Sequence, residues 1–142
     1  MKLEQQVVSL KFSKKLKDFG AKQESLFWWH KGFTGKDFEG DFEVGDYFDI
    51  RRQPFSAFTL SELIDASGER FFSLMKATDG WYAQEFRNDK RRPRIFRGDT
   101  PEEAVARLFM VRIKKEKLYK KNPKHGNRRP KSFEFNTNTG LN

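Results

Sequence analysis

Apolar residues first recur along this chain at helical spacing. Phe12, Leu16 and Phe19 stand at i, i+4 and i+7. Ser9 precedes them with the short hydroxyl that caps helix N-termini, and Gly20 follows where a left-handed residue ends a helix, so the spacing predicts a helix over 9–19. The pattern changes in AKQESLFWWHKG, residues 21–32, where Phe27, Trp28, Trp29 and His30 stand side by side. A strand with one wet face alternates apolar and polar positions, so this run has both faces covered or holds a ring for a partner. Leu26 to Trp29, bounded by Gly32 and Gly35, reads as a short strand. Residues 33–50 scatter Phe among acids and glycines and predict a twisted hairpin or irregular loop.

The second half is more regular. Thr59 with Glu62 three residues later makes a capping box, Leu60, Leu63 and Ile64 form an apolar stripe, and Gly68 closes the helix. Asp79-Gly80 between strand-like runs 70–76 and 81–87 is a hairpin signal. A short run at Ile95-Phe96 precedes GDTPEEAVARLFMVRIKKEKL, the longest predicted helix. Thr100 caps that helix, Pro101 stands at its first position, Glu103 completes a capping box, and lysines in its last turn complement the dipole. From Asn122 the periodicity stops. The order of elements predicts an α+β fold, a small antiparallel sheet with about three helices, organised as one domain over 1–121 and a basic, mobile tail over 122–142.

Composition supports a folded core: 16 Phe, 3 Trp and 3 Tyr in 142 residues are too many rings for a disordered chain, although charged residues reach 35%. With no cysteine there is no disulfide, thiolate metal site or cysteine nucleophile. His30 and His125 lie far apart, which makes a poor metal pair, and no cofactor is expected. MKLEQQVVSLKF lacks an apolar run for a signal peptide or membrane span, so the expected location is the cytoplasm, of a host cell if the chain is phage-encoded, with no membrane partner.

Charge is divided unevenly. Residues 1–86 carry 12 Lys/Arg against 14 Asp/Glu, whereas residues 87–142 carry 17 against 6, so the C-terminal part supplies the whole net charge of +9. Two stretches concentrate it: RNDKRRPR at 87–94, and residues 112–131 with ten Lys/Arg and one acid. Arg91, Arg92, Arg94, Lys114, Lys115, Lys120, Lys121, Arg128 and Arg129 are therefore candidate polyanion-binding residues. Only Tyr119 and Phe133 supply rings there, so nucleic-acid binding by these stretches would address the backbone and tolerate any sequence. The bland alternative is a solvated helix end and tail.

A second candidate site gathers around the aromatic run. An exposed indole of Trp28 or Trp29 could stack on a base, with Lys22, Gln23, Glu24 and Ser25 reading its edge or phosphate and Arg51 and Arg52 holding an anion. Against this stands the reading in which these rings hold a sheet together and KQES is a structural turn. The acids Asp37, Glu39, Asp41, Glu43, Asp46 and Asp49 invite a divalent metal but lack calcium-loop spacing, and a solvated hairpin is the simpler reading. No phosphate loop, nucleophile elbow or His-Glu-x-x-His motif occurs, so no catalytic residue is assigned and the non-enzymatic reading is favoured.

Two resemblances bear on origin. GWYAQEF and GDTPEEAVARL, at Gly80–Phe86 and Gly98–Leu108, resemble the HicB-type antitoxin module, although the acidic Pro-Gly-Cys linker of that family is replaced here by NDKRRPR. KQESLFWW, FSAFTLSEL and GDTPEEAVARL, spread over residues 16–115, resemble a group of small phage and prophage proteins of unknown function. That resemblance implies a phage accessory protein with no catalytic residues to carry over. Together these features lead to the expectation of a phage accessory, anti-defence protein binding an anionic partner such as a nucleotide signal. The alternatives are a nucleic-acid-binding protein using the basic C-terminal helix and tail, or an inhibitor that binds a host defence protein directly. Self-association into a homo-oligomer is a further use for surplus rings.

Overall fold

The computed structural model describes residues 1–32, 42–87 and 92–121, with the backbone alone for 119–121. The fold is α+β. Among the described residues three α-helices, α1 (Leu10–Phe19), α2 (Leu60–Ser67) and α3 (Pro101–Lys121), accompany six strands. The strands are β1 (Trp28–Lys31), β2 (Phe42–Gly45), β3 (Phe55–Ser56), β4 (Phe71–Ala77), β5 (Gly80–Glu85) and β6 (Ile95–Gly98). They divide into two antiparallel three-stranded sheets, ordered β2-β1-β3 and β4-β5-β6. The acidic stretch through Asp41 and the tail from Asn122 lie outside the described residues.

The helix ends form where the sequence places their caps. Ser9 Oγ accepts from the Phe12 amide, and Gly20 ends α1 at φ 101°, a left-handed conformation that favours glycine. In α2 both bonds of the Thr59–Glu62 box are made. At α3, Thr100 Oγ1 accepts from the Glu103 amide at 3.1 Å, but the Glu103 carboxylate reaches one residue further back than expected, to the Asp99 amide at 3.2 Å. The difference is small in effect, because either amide lacks an intrahelical partner.

α3 lies across β4-β5-β6 and also packs on α1 and α2. Alternation along β5 sends Trp81, Ala83 and Glu85 toward α3, and cross-strand neighbours Leu74 and Phe96 join them around Ala83. The core formed there holds Phe12, Leu16, Phe58, Leu63, Val105 and Leu108, all buried. Gly98 permits the close approach of α3 to β6: a Cβ at that position would collide with the Ala104 amide nitrogen and lie 2.8 Å from Glu103 Cβ.

The first sheet answers the question raised by Phe-Trp-Trp-His. Trp28 meets Phe48 edge-on with ring centroids 4.6 Å apart, and His30 stacks on Tyr47 at 4.4 Å, so the loop after β2 covers one side of β1. On the other side the Trp29 indole N–H donates to the Val8 carbonyl at 3.0 Å. Both sides of the strand are occupied, which removes the need for alternation.

Leu108, 1% exposed in the shared core, is the position where truncation should be felt most directly. Leu108→Ala should lower the unfolding free energy by about 3 kcal/mol in urea titrations. Gly98→Ala should also destabilise, by steric conflict with the α3 backbone rather than by a cavity. A loss under about 1 kcal/mol for Leu108→Ala would contradict its place in a close-packed core.

Candidate polyanion interface

Of the three inward side chains of β5, only Glu85 is charged, and it is 1% exposed. A carboxylate placed there needs strong partners, because burial of an unpaired charge costs several kcal/mol. The backbone supplies them by continuing the ladder past the strand ends. The Glu85 amide donates to the Arg94 carbonyl at 2.9 Å and the Phe86 amide to the Arg70 carbonyl at 2.7 Å, which brings the chain before β4, after β5 and before β6 to one end of the sheet.

Three guanidinium groups converge on that carboxylate. Arg94 grips it with two bonds, Nε to Oε1 at 3.0 Å and Nη2 to Oε2 at 2.8 Å. Arg87 Nε donates to Oε1 at 2.9 Å, and Arg70 Nη1 donates to Oε2 at 3.1 Å. Burial alone would push the Glu85 carboxyl up, but the hydrogen bonds and charges of Arg94 and Arg87 more than reverse it and hold the pKa at about 2. On α3, the Lys115 ammonium is pushed down by burial and then by repulsion from Arg70, Arg94 and Arg87. The smaller, electrostatic part of that depression reflects the positive potential of the three arginines. Three guanidinium groups hold one carboxylate with Lys115 close enough to feel its charge, and the Arg70 and Arg94 side chains remain 36% and 38% exposed.

This end collects several of the residues expected to bind polyanions. Arg94 and Lys115 belong to the cluster itself, and Arg92 and Lys114 are exposed. Lys120 and Lys121 lie on the last turn of α3, whereas Arg91, Arg128 and Arg129 lie outside the described residues. Sequence reasoning missed Arg70 as a member and Glu85 as the group that organises the cluster, and it placed Arg87 only within the basic stretch 87–94. The signal available was the lone acid on the inward face of a strand that otherwise carries Trp81 and Ala83.

The residues proposed for a base-stacking pocket are brought near the first sheet, with most of their polar atoms already engaged. Gln23 donates to the Ala21 carbonyl and accepts from the Ser56 amide at 2.9 Å, and Ser25 Oγ donates to the Phe27 carbonyl at 2.6 Å. Lys22 and Glu24 pair with each other at 3.0 Å and are largely exposed. Arg51 pairs with Asp49 at 3.0 Å, while Arg52 contacts Glu43 at 2.6 Å, the Tyr47 hydroxyl at 2.7 Å and the Lys31 carbonyl at 2.8 Å. Buried His30 accepts from the Asp49 amide through Nε2, so Nδ1 carries the proton, and burial followed by the Arg52 charge lowers its pKa. Of the acidic stretch, Glu43 and Asp49 thus serve arginines, and no group of three or more metal-binding side chains occurs among the described residues. No helix among them is long and apolar enough to cross a membrane. No family model, curated protein or solved structure matches this chain.

The Glu85 cluster carries a defined pH signature. The carboxyl titrates near 2 in the fold against about 4.5 unfolded, so its contribution is complete above pH 4.5 and is lost as pH falls toward 2. That contribution is on the order of 3 kcal/mol. Glu85→Gln should destabilise the protein by a similar amount at neutral pH, roughly 3 kcal/mol, and flatten the acid limb of the stability–pH curve. Unchanged acid dependence in the variant would show that the buried carboxylate is not the group responsible.

Proposed function

We propose that this protein binds nucleic acid through its phosphate backbone, without catalysis, at the cationic end of the β4-β5-β6 sheet. The observation that carries the reading is convergence: Arg87 and Arg94, the first and last residues of the RNDKRRPR stretch, meet Arg70 at the Glu85 carboxylate, and Lys115 of α3 feels the charge of all three. Guanidinium groups held at fixed spacing suit phosphate oxygens, and their excess over Glu85 attracts a polyanion from a distance. The basic residues beyond Lys121 extend the same charge along the sequence. A nucleotide held between Trp28, Trp29, Arg51 and Arg52 has less support, since the Trp29 N–H, Gln23 and Ser25, the groups that would orient a base, are bonded to backbone partners. The resemblance to phage accessory proteins extends the proposal to the cytoplasm of an infected cell, where such binding would blunt a host defence.

The test is fluorescence anisotropy with labelled single-stranded oligonucleotides of unrelated sequence over a range of salt. Affinity should be similar for all sequences, and log K should fall against log salt with a slope of about −3 or steeper if four or more phosphates are neutralised. The double variant Arg92→Glu, Lys114→Glu, which alters exposed side chains, should weaken binding about tenfold or more and make the slope shallower. Removal of residues 122–142 should weaken binding without abolishing it. Binding unaffected by the double reversal, or competed away by a mononucleotide at equal concentration, would overturn the reading.

A further inference from the structure

The outer face of β4-β5-β6, turned away from α3, is unusually apolar for a surface. Cross-strand register places Ser73 opposite Gln84, Met75 opposite Tyr82, and Ile95 opposite Gln84 from the other side. The register shift between Phe71 and Ser73 leaves Phe72 on this face, where its ring lies 6.1 Å from that of Phe86. Phe72, Met75, Phe86 and Ile95 are 58%, 61%, 45% and 60% exposed. We propose that this face is a self-association surface, covered in solution by the same face of a second copy of the chain.

Three considerations select a second copy as the occupant. The first is charge. Ser73, Tyr82 and Gln84 at the centre are uncharged, and Arg97 at the border is paired with Asp99 at 3.1 Å and contacts the Asp79 carbonyl. A nucleic acid gains little here, and a chain of net charge +9 meets its own copies most easily through a neutral surface. The second is area. Four large apolar side chains about half exposed offer on the order of 400 Å² per copy. With a polar rim of ordinary proportion this becomes about 650 Å² per copy, at the low end for specific interfaces and consistent with micromolar association. The third is shape, because twisted antiparallel sheets pack face to face with their strands about 30° apart, and one face can serve both sides of a twofold contact. Such a dimer carries two cationic ends, but its formation requires no ligand and stands independently of the proposed binding.

Sedimentation velocity over a concentration series tests the proposal directly. The wild-type chain should pass from monomer to dimer in the micromolar range, and elevated salt should maintain or strengthen the dimer while weakening any nucleic-acid contact. Phe72→Glu and Ile95→Glu, both at exposed positions, should give monomers with unchanged melting temperature. Because the chain has no cysteine, Gln84→Cys on the central strand should be linked into a covalent dimer by a short bis-maleimide that spans the roughly 10 Å between packed sheets, whereas Lys11→Cys, exposed on α1, should not. A wild-type monomer at all concentrations would overturn the proposal, as would a dimer indifferent to both charge substitutions. Dimerisation appearing only after removal of residues 122–142 would overturn it in favour of cover by the chain's own tail.

Discussion

Three guanidinium groups can share one end of a small sheet only if negative charge is buried among them, and Glu85 supplies it. Its four hydrogen bonds reach Arg70 before β4, Arg87 after β5 and Arg94 before β6, so a single carboxylate ties together the ends of all three strands. The arrangement is costly to desolvate and strongly destabilising to disrupt, a combination typical of buried ion clusters. It also leaves net positive charge at a fixed place, next to Lys115 of α3. Local sheet geometry and long-range electrostatics therefore rest on the same residue.

The molecule keeps its two surface specialisations apart. Strand alternation sends Glu85 and its arginines toward α3, while Phe86, the next residue, lies with Phe72 on the opposite face. Charged and apolar surfaces thus occupy opposite sides of one three-stranded sheet. If both proposed contacts form, neither partner competes for the other's surface.

Much of the local structure was legible in the residues themselves. Ser9, Gly20, Thr59, Glu62 and Thr100 mark helix ends because caps are local chemistry; Asp79-Gly80 marks the β4–β5 hairpin, although its two linking residues are Thr78 and Asp79 and Gly80 already pairs with Ala77. The division of the strands into two sheets was not legible, since β1 takes its neighbours from segments on either side of the irregular Tyr47–Arg52 loop. The Glu85 cluster was hidden for a related cause: Arg70 and Arg94 become neighbours only through strand register. Gln23 is a case in which a local reading and a long-range contact compete. Its amide invites assignment to a ligand, but the Ser56 backbone uses it to close the edge of the first sheet.

The two sheets are also secured to different depths. β3 contributes only two residues, and the N-terminal segment meets the chain beyond it through an isolated bridge between Val7 and Thr59. β5, by contrast, is bonded on both sides and covered by the longest helix. Free energies of local opening follow such differences in burial and pairing. Amide protons of the first sheet should therefore exchange with solvent through partial openings, while those at the centre of β5 should wait for the whole chain to unfold. The first sheet could then loosen while the core shared by α1, α2, α3 and β5 stays closed.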